Sequence, residues 1–178
     1  MFKKGDFVVY GQSGICEITD IMQLNMTGVD RKKLYYALAP QKDKSSIIYS
    51  PIDNSKIVIR EVITKKEAVE LINEIPDIEE LWITNEKLRE ESYKEAMASC
   101  DCRQWVKIIK TLYVRKQERL AAGKKVTATD ERYYKQAKDY LYAELGFALG
   151  KKPDDMERII CEYIDGVSEK HRGLQPVN

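Results

Sequence analysis

Residues 56–75, KIVIREVITKKEAVELINEI, are where the pattern of the chain changes from strand to helix. The first seven, KIVIREV, are rich in β-branched residues, which favour strands. From Thr64 onward the apolar residues recur every three or four positions, as they do on one face of a helix. Thr64 and Glu67 have the spacing of a capping box, which marks a helix start. The sequence therefore predicts an α+β protein in two parts, 1–62 and 63–178.

The first part contains four further short runs that predict strands. They are FVVY, ICEITDIM, KLYYALA and SIIYS, at 7–10, 15–22, 33–39 and 46–50. Segments rich in Gly, Asp, Asn and Ser separate them and predict turns. Five strands of this length form a small, strongly bent sheet or barrel. Because such a unit has only about 60 residues, its core is marginal by itself.

The second part predicts a compact all-helical domain. Caps and breakers bound the helices: Asp101 and Thr127 are good N-caps, whereas Pro76, Gly123 and Gly150 are stop signals. The predicted helices lie at about 64–75, 77–98, 101–122, 127–149 and 154–164, and a loose tail follows residue 166.

Composition excludes several classes of protein. The chain of 178 residues has no apolar run near the ~18 residues that a membrane span needs, and its first residues turn polar too early for a signal peptide. Four cysteines are too few for a disulfide scaffold, so we expect a cytoplasmic protein with reduced thiols. One histidine, His171, excludes a histidine triad, and no phosphate-binding glycine motif occurs. We expect no enzyme activity, no cofactor and no metal.

Charge is strongly segregated although the net charge is only +1. Residues 67–101 carry 3 basic and 11 acidic groups, whereas residues 103–125 carry 8 basic and 1 acidic group. An acidic stretch of −8 is thus followed by a basic stretch of +7, and this distribution says more about partners than the net charge does.

The basic stretch predicts a cationic helix face. Arg103, Lys107 and Lys110 fall within about 60° of one another at ~100° per residue. Cations one turn apart can each meet a phosphate, which favours a nucleic acid partner. The alternative is an ordinary solvated surface, helped by cations near a helix C-terminus. The apolar side of this helix is formed by Trp105, Ile108, Ile109 and Leu112. The positive charge continues toward the end of the helix and into the next loop through Arg115, Lys116, Arg119, Lys124 and Lys125.

The two tryptophans have different settings. Trp105 lies on the apolar helix face and predicts core packing. Trp82 lies in the acidic stretch near the start of a predicted helix. Core packing is the first interpretation for Trp82, and an exposed wedge or partner anchor is the alternative.

The chain resembles the CarD/CdnL family of RNA-polymerase-binding regulators, whose N-terminal module is similar to one in transcription-repair coupling factor. The likeness begins in KKGDFVVYGQSGICEITDI at 3–21 and continues through KLYYALAP and IIYSPIDNSKIVIREVI. It resumes at TNEKLREESYKEAMASCD, LYVRKQERLAAG and YLYAELGFALG. The likeness therefore covers nearly the whole chain in order.

The resemblance implies a Tudor/SH3-like β-barrel that docks on the polymerase β subunit, followed by a helical domain that contacts promoter DNA. The implied activity is to stabilise or tune the open promoter complex, largely independently of sequence. We expect a monomer, with domain swapping possible. The implied partner-binding residues are Asn25, Ile48, Tyr49 and Pro51, and the candidate DNA-binding residues are Trp82, Arg89, Arg103, Lys107, Lys110, Arg132, Lys135 and Lys138.

The chain departs from the family pattern at several positions. The family tryptophan that acts as a minor-groove wedge follows a Thr-Asn pair, and Glu86 occupies that position here, four residues after Trp82. Tyr49 replaces an arginine thought to face the polymerase. Cys100 replaces the glycine of a Ser-Gly-Asp helix junction.

Two alternative functions remain open at this point. A polymerase-binding adaptor would regulate transcription by protein contacts only, and the missing tryptophan at position 86 favours it. A free-standing RNA-binding module would use the same basic residues, but the sequence has no RNP-like strand motif.

Overall fold

The computed structural model describes residues 1–43 and 45–163. The chain divides into two units: Met1–Val62 with Ala98–Cys100, and Ile63–Met97 with Asp101 onward. The predicted tail and His171 lie outside the described residues.

The first unit is a five-stranded antiparallel sheet, which confirms the predicted strands. Its order is β4-β3-β2-β1-β5, so β4 and β5 are the two edge strands. The strands are β1 (Phe7–Tyr10), β2 (Ile15–Gln23), β3 (Leu34–Pro40), β4 (Ile48–Pro51) and β5 (Ile59–Glu61).

Alternating apolar residues of the strands form the core of this sheet. The buried cluster is Val8, Tyr10, Cys16, Ile18, Tyr36 and Leu38, with Ile48 and Ile59 packed against it from the edge strands. The register of β2 against β3 shifts between Ile18 and Asp20, so Thr19 forms an irregularity. Such a bulge increases the local twist, as a strongly bent sheet needs.

The second unit is helical. Its helices are α1 (Lys65–Glu74), α2 (Arg89–Ala98), α3 (Cys102–Ala121) and α4 (Ala128–Leu149), and residues 156–163 are also helical. The most completely buried residues of this unit include Ile72, Tyr93, Trp105, Ile108, Leu141 and Leu145.

The predicted caps set the helix boundaries. Thr64 and Glu67 form the complete capping box of α1, and the side chain of Asp101 accepts from the Arg103 N–H at the start of α3. At the end of α4, Gly150 is left-handed (φ 64°), and the Lys151 N–H donates to the Gly146 carbonyl. This arrangement terminates a helix at glycine.

The predicted helix over 77–98 is wrong in its first half. Helix α2 begins only at Arg89, and one 3-10 turn, Glu86–Leu88, precedes it. Ile78 is already extended (φ −68°, ψ 121°) immediately after the 3-10 turn Ile75–Asp77. Asn85 then caps the next turn by accepting from the Lys87 N–H. The chain between them has neither helix nor strand.

Candidate functional site

The β4 edge of the first unit is available for pairing. Among the residues that the structure describes, β4 pairs with β3 on one side only. Ile47 and Tyr49 are exposed, Tyr49 by 41%, whereas Ser50 is buried and accepts from the Asn54 amide at 3.1 Å. An ordered edge strand with exposed apolar side chains can pair with a strand of a partner and so join the two sheets.

The four predicted partner-binding residues have different settings in this unit. Tyr49 and Asn25 are exposed, Asn25 in the loop after β2. Pro51 is half-buried at the end of β4, and Ile48 packs against the core of the sheet. Tyr49 is therefore the residue of β4 most available to a partner.

In the second unit, residues 74–86, here called the strap, run along α3 from its first turn to its fourth. The Arg103 guanidinium pairs with Glu74 at 2.7 Å. The Lys110 ammonium donates to the carbonyl of Pro76 at 3.0 Å and to that of Ile78 at 2.6 Å. These carbonyls follow the end of α1, where helix bonding has stopped, and the ammonium satisfies them.

Two further contacts hold the second half of the strap. The Leu81 N–H donates to the Thr111 hydroxyl at 2.9 Å, and this hydroxyl donates to the Lys107 carbonyl at 2.7 Å. Glu86 pairs with Arg115 at 3.4 Å. The strap is thus attached to α3 on both sides of residue 82.

Trp82 is 88% exposed at the middle of the strap, so the prediction of core packing is wrong for this residue. Its neighbours Leu81 and Ile83 are half-buried, which leaves Trp82 on the outer side. Trp105 is buried as predicted. Glu79 and Glu80 are exposed beside Trp82, and neither has an ion-pair partner in the described part of the chain.

Two of the three cations on the predicted cationic face of α3 already have partners within the second unit. Arg103 and Lys110 hold the strap, as described above. Lys107 is half-buried, and its ammonium has no partner within residues 1–43 and 45–163. Arg103 is paired but still faces solvent, with its side chain 53% exposed, whereas Lys107 and Lys110 are only half-exposed because the acidic stretch folds back onto the basic helix.

The other four predicted phosphate contacts also differ in availability. Arg132 pairs with Glu90 at 3.0 Å, and Lys138 with Glu157 at 3.1 Å. Lys135 is exposed without a charged partner in the described ranges. The fourth, Arg89, is mostly buried in an ion cluster.

This ion cluster joins α2, α3 and α4. The Asp130 carboxylate, only 4% exposed, meets Arg115 at 2.9 Å and Arg89 at 3.8 Å, and Glu86 contacts both arginines. Burial, with the nearby Asp130 charge, raises the pKa of the adjacent Tyr93 to about 12. These contacts link residues of α2, α3 and α4, and removing one partner would leave a buried charge uncompensated. Sequence reasoning missed this role of Asp130.

A second group of cations lies at the end of α3. Lys116, Lys124 and Lys125 are exposed and have no carboxylate partner in the part of the chain that the structure describes. The Arg119 guanidinium donates to the Lys125 carbonyl at 2.8 Å and so orders the turn that carries them. These lysines form a group of available positive charge in the second unit.

Neither unit shows a metal-binding group among its described residues. Cys102 lies at the start of α3 and its thiol donates to buried Glu144 at 3.2 Å. No helix described here is long and apolar enough to cross a membrane.

The two units match two family models in chain order. The CarD-like/TRCF RID domain matches residues 2–63, and the CarD C-terminal domain matches residues 70–161. Individually curated proteins give no match to the chain. The fold and the matches define an RNA-polymerase-interacting transcription regulator. The chain belongs to the CarD-like family.

Proposed function

We propose that the first unit docks on the polymerase β subunit through the β4 edge, and that the second unit then tunes the open promoter complex by contacting the DNA backbone. The observation that carries the proposal is the ordered pair of family matches, which covers both units. The family acts on transcription rather than as an enzyme, and the proposed setting is the cytoplasm, at the nucleoid.

The exposed edge supports the docking half of the proposal. Tyr49 lies within β4, so a partner strand that pairs with this edge would run close to the Tyr49 side chain. An aspartate there would place a charge against the partner strand. We expect Tyr49→Asp to weaken binding to promoter-free holoenzyme by at least tenfold, because charged residues on an edge strand oppose strand addition. Tyr113→Asp, at an exposed tyrosine of α3, is the control and should change this affinity less than twofold.

The cations without partners support the DNA half of the proposal. Lys107 and Lys135 remain from the predicted set, and the exposed group at the end of α3 joins them. Backbone contacts of this kind carry little sequence information, so the polymerase would supply the targeting.

The test of the DNA half uses two matched lysine pairs. Lys124→Glu/Lys125→Glu changes the turn after α3, and Lys151→Glu/Lys152→Glu makes the same charge change in the exposed turn after α4. We expect the first pair to weaken binding to promoter duplex and to reduce its salt slope by about 2, because two phosphate contacts are lost. Equal effects of the two pairs would contradict a DNA contact at the end of α3.

A second function is favoured by a specific observation. Five of the seven cations predicted to contact phosphates are engaged within the second unit, and they are Arg89, Arg103, Lys110, Arg132 and Lys138. A protein-only adaptor needs none of them free. Binding to holoenzyme without any binding to promoter duplex would establish the adaptor and contradict the DNA half.

A further inference from the structure

The surface around Trp82 differs from a DNA-facing wedge in its charge. Residues 77–82 contain three carboxylates, those of Asp77, Glu79 and Glu80, and no basic residue. All three are exposed. Lys110, which contacts the strap, has its ammonium occupied by two carbonyls. A phosphate backbone approaching Trp82 would therefore meet negative charge first.

The geometry suits an anchor for a protein partner. An indole that is 88% exposed contributes a large apolar area as soon as a partner covers it. The strap bonds to α3 through Leu81 before Trp82 and through Glu86 after it, so the backbone that carries the indole is ordered before binding. An ordered anchor loses less conformational entropy on association.

We propose that Trp82, with Glu79 and Glu80, binds a basic segment of a protein in the polymerase assembly. A guanidinium or ammonium group can stack on the indole face while the neighbouring carboxylates pair with its charge. The inference rests on polymerase binding, which the family shows, and does not require a DNA contact. It assigns to the second unit a protein contact separate from the β4 edge.

The experiment measures the affinity of the full chain for promoter-free holoenzyme and, separately, for promoter duplex. Three variants are compared with wild type: Trp82→Ala, Glu79→Lys/Glu80→Lys, and a control with the same charge change, Glu95→Lys/Glu131→Lys. The control residues are exposed and have no ion-pair partner in the described ranges. All the altered side chains are exposed, so the folded state should be retained, and urea unfolding verifies this.

We expect Trp82→Ala and the charge reversal of the strap each to weaken holoenzyme binding about tenfold, and the control to change it less than twofold. The Glu79→Lys/Glu80→Lys variant separates a protein anchor from a DNA wedge. A protein anchor predicts weaker binding to holoenzyme, whereas a DNA wedge predicts stronger binding to duplex. If the reversal instead leaves holoenzyme affinity unchanged and strengthens duplex binding more than the control does, the surface faces DNA and the inference is wrong. If wild type binds holoenzyme and all three variants match it, only the inference fails. If wild type does not bind holoenzyme, the proposed function fails with it.

Discussion

Replacing Thr111 by valine tests whether the strap is bonded to α3. Valine keeps the branched shape but removes the hydroxyl that accepts from the Leu81 N–H at 2.9 Å. Because Thr111 is buried and Leu81 is half-buried, the amide is left without an acceptor in a place where water reaches it poorly. An unsatisfied group of this kind costs about 1–2 kcal/mol.

That cost applies to the state in which the strap is closed, so local opening becomes easier. A change of about 1–2 kcal/mol raises the population of the open strap roughly 5–30-fold. Hydrogen exchange of the Leu81 amide measures this population directly. Thr111→Ser is the control, because serine retains the hydroxyl and loses only a methyl group. We expect exchange at Leu81 to accelerate in the valine variant and to change much less in the serine variant. Equal exchange in wild type and the valine variant would show that Thr111 does not hold the strap.

Three further changes test the ion cluster, the helix junction and the sheet core. Asp130→Asn leaves two arginines facing one remaining carboxylate, and we expect urea unfolding to show a loss of about 3 kcal/mol; a loss below about 1 kcal/mol would show that the cluster is not buried as described. Cys100 is buried with a left-handed backbone (φ 53°), so Cys100→Val should cost more than about 2 kcal/mol and Cys100→Gly much less, and the opposite order in urea would contradict that backbone. Burial raises the pKa of Cys16 to about 11, so the folded chain keeps this thiol protonated at pH values where the unfolded chain releases its proton. The contribution of Cys16 to the free energy of unfolding should therefore be complete below about pH 9 and decline up to about pH 11. Replacing Cys16 by alanine should remove this pH dependence.

The strands and most helix ends follow from local sequence signals. The change of period at residues 56–75 places the boundary between sheet and helices, and Thr64, Asp101 and Thr127 each cap the helix predicted for them. These features need only neighbouring residues, because a cap or a turn is satisfied within three or four positions.

The strap could not be predicted in the same way. Residues 77–85 combine helix formers, Glu79, Glu80 and Leu81, with β-branched and polar residues that form helix less readily, so local propensity does not decide their conformation. Their conformation depends instead on groups that lie about thirty residues later, the Lys110 ammonium and the Thr111 hydroxyl. Tertiary bonds to α3 therefore set the conformation of this segment.

The partners of the basic residues on α3 could not be predicted from the sequence for the same reason. Helical spacing correctly places Arg103, Lys107 and Lys110 on the side of α3 away from its apolar residues. It cannot show that an acidic segment folds onto that side. Asp130 is a comparable case, since the sequence does not show that its carboxylate is buried between Arg89 and Arg115.

The regulatory claim is tested most directly by comparing two affinities of the full chain, one for holoenzyme alone and one for holoenzyme in an open promoter complex. Thermodynamic linkage requires that a factor which shifts the open-complex equilibrium bind the two states unequally, by the same factor as the shift. We predict a ratio of about tenfold in favour of the open complex, equivalent to about 1.4 kcal/mol. Equal affinities for the two states would contradict the account, because a factor that binds both equally cannot shift the equilibrium between them.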